Sequence, residues 1–294
     1  MNLGAMMRDP RVEKRLTAVS GTTRFTLERA GLRRGALPDF LVIGAMKAGT
    51  TMFYEWLVTH PLVLPAIEKE VHFFDFHFPR SQTWYRSQLP AVRELDALVA
   101  TEGQRAIAGE ASPTYLFHPL APRRAHVVVP NAKLIVLLRN PISRAYSHYQ
   151  TGLRHDWEAL SFEDAIDREP VRLDGQIEAL LMDEQHHRSF PRYRWSYLSM
   201  GQYAEQLEAW FRFFPREQFL FIVSEDMDRD ADATFRRVYD FLGLPYHELP
   251  KLARRVVGHY EPMEPATRER LQDYFRPHNK RLNELIDIDP DWGD

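Results

Sequence analysis

Residues 40–51 read Phe40-Leu41-Val42-Ile43-Gly44-Ala45-Met46-Lys47-Ala48-Gly49-Thr50-Thr51. The opening four are apolar, a pattern that predicts a buried parallel strand ending at Gly44. From Thr51 to His60 the spacing turns helical, and Pro61 closes it. Between strand and helix lies a turn of small residues. A helix N-terminus presents unpaired N–H groups and the positive end of its dipole, and small residues let an anion approach the backbone. Lys47 adds a full positive charge, and Thr50 and Thr51 add hydroxyl donors. Lys47, Ala48, Gly49, Thr50 and Thr51 are therefore candidate phosphate-binding residues. The plainer reading is a glycine turn beside a surface lysine.

The same unit recurs downstream. Lys133-Leu134-Ile135-Val136-Leu137-Leu138 is an apolar run followed by Arg139-Asn140-Pro141. Pro141 suits the first turn of a helix running through Ser143, Tyr146, Ser147 and Tyr149. Phe219 to Val223 is a third strand candidate, with helical stretches from Tyr203 to Phe213 and from Asp232 to Leu242 around it. Pro265 to Leu285 is helical in pattern, with Pro277 expected to bend or break it. Strands alternating with helices predict an α/β fold, a central mostly parallel sheet flanked by helices. Residues 1–38 read as an N-terminal arm or helix and 39–294 as one domain. Within it, 152–200 is polar, aromatic and charged, an excursion from the sheet that either covers an acceptor site or is a solvated insertion; 162–168 has helical spacing.

The loop at 44–51 is not that of a nucleoside triphosphatase, which ends in Gly-Lys-Ser/Thr; here the lysine precedes the glycine by two residues. Kinases and ATPases also need a carboxylate for magnesium, whereas the second strand leads into Arg139. An arginine there suits a second phosphate bound directly. A phosphotransferase or nucleotide hydrolase with an atypical loop, or a non-catalytic anion- or glycan-binding protein, remain the alternatives.

Lys47-Ala48-Gly49-Thr50-Thr51 resembles the 5′-phosphosulfate loop of the sulfotransferases that use 3′-phosphoadenosine-5′-phosphosulfate (PAPS). Arg139 with Ser147 eight residues later resembles their 3′-phosphate motif. Similarity continues through Glu70-Val71-His72-Phe73-Phe74-Asp75, Trp84-Tyr85, Gly109 to Tyr115 and Tyr203 to Pro215, and ends near Asn279-Lys280, over roughly residues 39–292. It is strongest to the heparan-sulfate-type branch and its bacterial relatives. The resemblance implies a P-loop-like nucleotide-binding sulfotransferase fold. It also implies PAPS as donor co-substrate without a required metal. The reaction would be in-line transfer of a sulfuryl group to a hydroxyl or amine of a glycan or small molecule. A helix starting at once after Arg139 lifts Ser147 by about 12 Å, so both reach one phosphate only if Arg139 extends along that helix.

The resemblance also assigns roles. Glu70 would be the general base, a contribution of about 10² to 10⁴ in rate. Its neighbours Val71, Phe73 and Phe74 suggest burial that raises its pKa from about 4.3. The rival readings are a structural pairing with Lys69 or Lys47, and Glu68 as the base. Lys47 would stabilise charge near the bridging oxygen, and His72 would orient Glu70 or touch the sulfuryl group, unless it is a hydrogen-bonded core histidine. Asp75 would support from behind. The family places a lysine where this chain has Ala111, so a cation is missing there. In the C-terminal phosphate turn, Gly258 carries over, with Arg254 or Arg255 as the phosphate ligand or as a solvated basic pair.

Composition narrows the rest. The chain lacks cysteine, which removes disulfides, thiolate metal sites and cysteine nucleophiles and fits a cytoplasmic location. A net charge of −3 gives no general field for nucleic acid. No apolar run reaches the length of a membrane span or resembles a signal peptide. His186-His187 lacks the spacing of a zinc site, so no metal is expected. Trp84, Tyr85, Trp195 and Tyr197 are candidates to stack on adenine or a sugar, or are core. Acceptor identity and oligomeric state are not legible at this level.

Overall fold

The structure, a computed structural model, describes residues 21–184, 189–250, 261–290 and 292. Five strands form one sheet: β1 (Phe40–Gly44), β2 (Val63–Pro65), β3 (Ile107–Ala111), β4 (Lys133–Leu138) and β5 (Phe219–Val223). Their order is β2-β3-β1-β4-β5, and every pairing is parallel. All of β1 is buried, as a strand covered by helices on both faces must be. β1 and β4 are direct neighbours, with Val42 opposite Ile135. The turns that follow them therefore emerge side by side at the C-terminal edge of the sheet, where open α/β sheets bind ligands.

Close packing at the centre depends on two glycines. A Cβ on Gly109 would lie 2.4 Å from the Phe40 ring, and one on Gly44 would lie 2.5 Å from Leu116 Cβ. The helix after β1 runs Thr50–Leu57, and the helix after β4 runs Pro141–Arg154 with Asn140 Oδ1 accepting from the amides of Ile142 and Ser143. The last helix, Pro265–Ile286, continues through Pro277, so the expected break does not occur. The Thr50–Leu57 helix is also shorter than its spacing predicts, since Val58 to His60 close it with turn bonds.

Residues 152–200 are largely helical. The helix expected over 162–168 extends over Phe162–Leu173. With the Pro141–Arg154 and Pro265–Ile286 helices it encloses a second apolar cluster that includes Ile142, Tyr149, Phe162, Ile166, Tyr197 and Phe275. Polar ties fix it too. Fully buried Arg144 donates to the Ser196 and Tyr197 carbonyls. Buried Glu169 accepts from the amides of Leu198 (2.6 Å) and Ser199 (2.8 Å). The N-terminal helix at 21–29 is held by Glu28, which pairs with Arg33 at 3.1 Å and accepts from the Gly35 amide.

Candidate active site

A cavity of about 520 Å³ opens where the turns after β1 and β4 meet. Lys47, Ala48, Gly49, Thr50, Thr51, Arg139, Ser147 and Glu70 all line it. The two motifs separated by some ninety residues in sequence thus share one cleft.

The turn after β1 is built from unusual backbone. Gly49 caps the Thr50–Leu57 helix at φ 84°, and Lys47 holds φ 72°. Such angles favour glycine at the first position and are held at the second by neighbours. Arg139 Nη1 donates to the Lys47 carbonyl at 2.9 Å, Ser224 Oγ donates to the Ala48 carbonyl at 2.7 Å, and Tyr203 donates to the Arg139 carbonyl at 2.9 Å. Arg139 therefore leans back over the first turn while Ser147, six per cent exposed, faces the same cavity from the helix. Burial, then the charges of Arg154, Arg139 and Arg144, lower the Lys47 ammonium to about 8, against a smaller opposing pull from Glu70.

The opposite wall carries Glu70. Its amide donates to the Ala111 carbonyl at the end of β3 (3.0 Å), and it sits at φ 66°. Glu70 Oε1 accepts from Lys69 at 2.6 Å, and Oε2 lies 3.3 Å from His72 Nε2. His72 in turn contacts buried Asp75 through Nδ1 at 2.9 Å, and Thr114 donates to the same carboxylate at 2.5 Å. The raised Glu70 pKa suggested by its apolar neighbours is corrected here. Burial does push the carboxyl up, but the hydrogen bond from His72 and the charge and hydrogen bond of Lys69 outweigh it and hold Glu70 at about 2. Those apolar neighbours, Val71, Phe73 and Phe74, point into the core instead. Burial lowers His72, yet its bonds to Asp75 and Glu70 carry it to about 10, so it is a cation at neutral pH. His72 belongs to this charged chain rather than to the apolar core. Glu68 is exposed and does not line the cleft.

Several other positions fall into place. Ala111 is fully buried, and the cation beside this strand end is Lys69. Tyr85 and Tyr197 are core residues, and neither they nor Trp84 nor Trp195 line the cavity. The aromatic groups that do are Trp157 and Tyr193, with His148 and Thr151 beside Ser147. Sequence reading missed these four. Thr151 shares a helix face with Ser147 at a spacing of four, a signal that was available, whereas His148 is simply its neighbour in the chain; Trp157 and Tyr193 reach the cleft only through the packing of the 152–200 segment. Arg254, Arg255 and Gly258, and the pair His186-His187, lie outside the described residues. Among the described residues, no group of three or more His, Asp or Glu side chains is placed to hold a metal.

Comparison with known proteins bears on what this cleft serves. A family model described as the sulfotransferase domain matches residues 37–281. Human heparan sulfate glucosamine 3-O-sulfotransferase 6 is 33% identical over 293 residues, covering 90% of this chain and 76% of that protein. The mouse heparan sulfate glucosamine 3-O-sulfotransferase 3A1 is 30% identical, over 87% of this chain and 64% of its own length. The crystal structure of a sulfotransferase from Alicyclobacillus acidocaldarius superposes with a TM-score of 0.66 at 30% identity, covering 88% of this chain and all of that one. With the family model spanning most of the sequence and both sequence and fold agreeing, the chain belongs to the sulfotransferase domain family and is a sulfotransferase.

Proposed function

We propose that the chain transfers a sulfuryl group from PAPS to a hydroxyl or amine of a glycan, with Glu70 as the base. The observation that carries this reading is the single cleft that brings the two cationic turns together with the Glu70 carboxylate. The turn at 47–51 would take the 5′-phosphosulfate on backbone amides and hydroxyls, with Lys47 against the bridging oxygen. Arg139 and Ser147 would take the 3′-phosphate. The acceptor heteroatom, on the Glu70 side, forms its bond to sulfur as the sulfur–oxygen bond to the 5′-phosphate breaks. The acceptor proton passes to Glu70, and the 3′,5′-bisphosphate leaves with the bond's electron pair. The likeness to enzymes named for heparan sulfate supports a glycan acceptor.

The test is transfer of labelled sulfate from PAPS across a panel of glycans, phenols and alkyl alcohols. Label is expected on glycans, with Lys47→Ala abolishing transfer. Glu70→Gln is expected to lower kcat by about 10² to 10⁴ while affinity for the bisphosphate stays constant. Undiminished turnover in Glu70→Gln sinks the base assignment, and label confined to phenols or alkyl alcohols sinks the glycan.

A further inference from the structure

Beneath the segment that carries Glu70 and His72 lies a carboxyl group the cleft does not use. Glu110, next to last in β3, is 0% exposed. Its Oε1 accepts from the hydroxyls of Tyr85 and Tyr115, both at 2.8 Å, and its Oε2 accepts from Ser112 Oγ at 2.7 Å. Two of these hydroxyls are acceptors as well. Ser112 Oγ takes the His72 amide at 3.0 Å, and the Tyr115 hydroxyl takes the Phe73 amide at 2.7 Å. A hydroxyl has one proton to donate. In Ser112 and Tyr115 that proton points to Glu110, which leaves each oxygen turned toward the backbone of 72–73.

That backbone needs holding. Glu70 and His72 both sit at positive φ, 66° and 54°. Such conformations are unfavourable for non-glycine residues and persist where the surroundings over-determine them. A buried carboxyl is itself unfavourable unless its oxygens are bonded, and this one has three donors. We propose that Glu110 is a positioning residue for sulfuryl transfer, acting through Ser112 and Tyr115 to fix the backbone that aims Glu70 and His72 at the cleft. This rests on the reading of Glu70 as the base.

Tyr85 supplies an internal control. It donates to Glu110 at the same 2.8 Å as Tyr115, but its other contacts with the segment are between rings, stacked on Phe73 at 4.2 Å and 6° and edge-on to Phe74 at 5.3 Å. Tyr85→Phe keeps that stack and removes a bond that ends at Glu110. Glu110→Ala would leave a void and is prone to misfold, so single hydroxyl deletions are the better probes. Ser112→Ala and Tyr115→Phe are expected to lower kcat by roughly 10- to 100-fold, with the Kd for the bisphosphate changed by less than about twofold. Tyr85→Phe is expected to keep kcat within about twofold of the parent. The first two should also lose proportionately more activity near pH 5 than at neutral pH, because Glu70 freed from His72 returns toward the ordinary carboxylate range. Unchanged kcat in both variants, or an equal loss in Tyr85→Phe, overturns the proposal. If Glu70→Gln keeps full transfer, the base assignment has failed, and amide exchange over residues 70–76 then decides the relay separately. Faster exchange in Ser112→Ala and Tyr115→Phe but not in Tyr85→Phe sustains it; unchanged exchange overturns it.

Discussion

Donor affinity should fall as pH rises above neutrality, because Lys47 is held at the edge of titration. Burial and three neighbouring arginines place its ammonium at about 8 in the empty cleft. A free lysine, near 10.4, stays charged throughout the range from pH 7 to 9, so the slope is a property of this site. In the unliganded protein the charged fraction of Lys47 is about nine-tenths at pH 7, half at pH 8 and one-tenth at pH 9. A phosphate against the ammonium restores its pKa, so the complex retains the proton. The apparent Kd then scales with the inverse of the charged fraction and rises about tenfold from pH 7 to pH 9. Glu70 at about 2 and His72 at about 10 titrate outside most of this window. Calorimetric titration with adenosine 3′,5′-bisphosphate measures the slope. Repeating it at pH 8 in buffers of different ionisation enthalpy should show uptake of about half a proton. Lys47→Arg keeps its charge at pH 9 and should flatten the profile. A wild-type Kd constant from pH 7 to 9, or the same slope in Lys47→Arg, refutes the reasoning.

Two further outcomes follow from the geometry. Arg139→Ala should weaken bisphosphate binding by about 2 kcal/mol or more, roughly 30-fold in Kd, with a smaller effect on kcat at saturating donor. Arg139→Lys should not restore it, because the fork that donates to the Lys47 carbonyl would also have to grip the proposed phosphate. Gly109→Ala should destabilise the sheet by about 1–3 kcal/mol, since the new Cβ would lie 2.4 Å from the Phe40 ring, well inside van der Waals contact. A urea melt reads that loss as a lower midpoint at unchanged slope.

The strands that carry the two phosphate motifs were legible because burial on both faces forces an uninterrupted apolar run. β2 and β3 were not read as strands. β2 is three residues ending in Pro65, tolerable only at a sheet edge. β3 contains Gly109, there because Phe40 occupies the space of a side chain, and Glu110, there because three hydroxyls meet it. Both exceptions are dictated by partners distant in the chain. The same distinction divides the site. Lys47, Arg139 and Ser147 are fixed by local strand–turn–helix geometry. Trp157 and Tyr193 depend on how a separate segment docks against the Pro141–Arg154 helix. The direction of the Glu70 shift was misjudged for a related reason: its apolar neighbours in sequence turn into the core, while Lys69 and His72 turn to its carboxylate.

A carboxylate held near 2 is a weak proton acceptor, yet Glu70 lines the cleft together with the cationic turns. The character of the reaction reconciles the two. In a loose transition state the bond to the leaving oxygen is largely broken before the bond to the acceptor forms. The acceptor hydroxyl becomes acidic only late, when sulfur has already drawn on its electrons. If Glu70 is the base as proposed, it serves early in the reaction as a fixed hydrogen-bond acceptor, and its location matters more than its strength. Lys69 and His72 keep Glu70 charged, and Asp75 and Thr114 hold His72 in place. Across the cleft the proposed mechanism makes the reverse demand: Lys47 and Arg139 would meet charge that grows on the leaving phosphate, and the mutual crowding that lowers Lys47 would favour an incoming anion. On the proposed mechanism the catalytic asymmetry lies there, with a weak base that stays ionised on one side and a crowded cationic wall suited to an anion on the other.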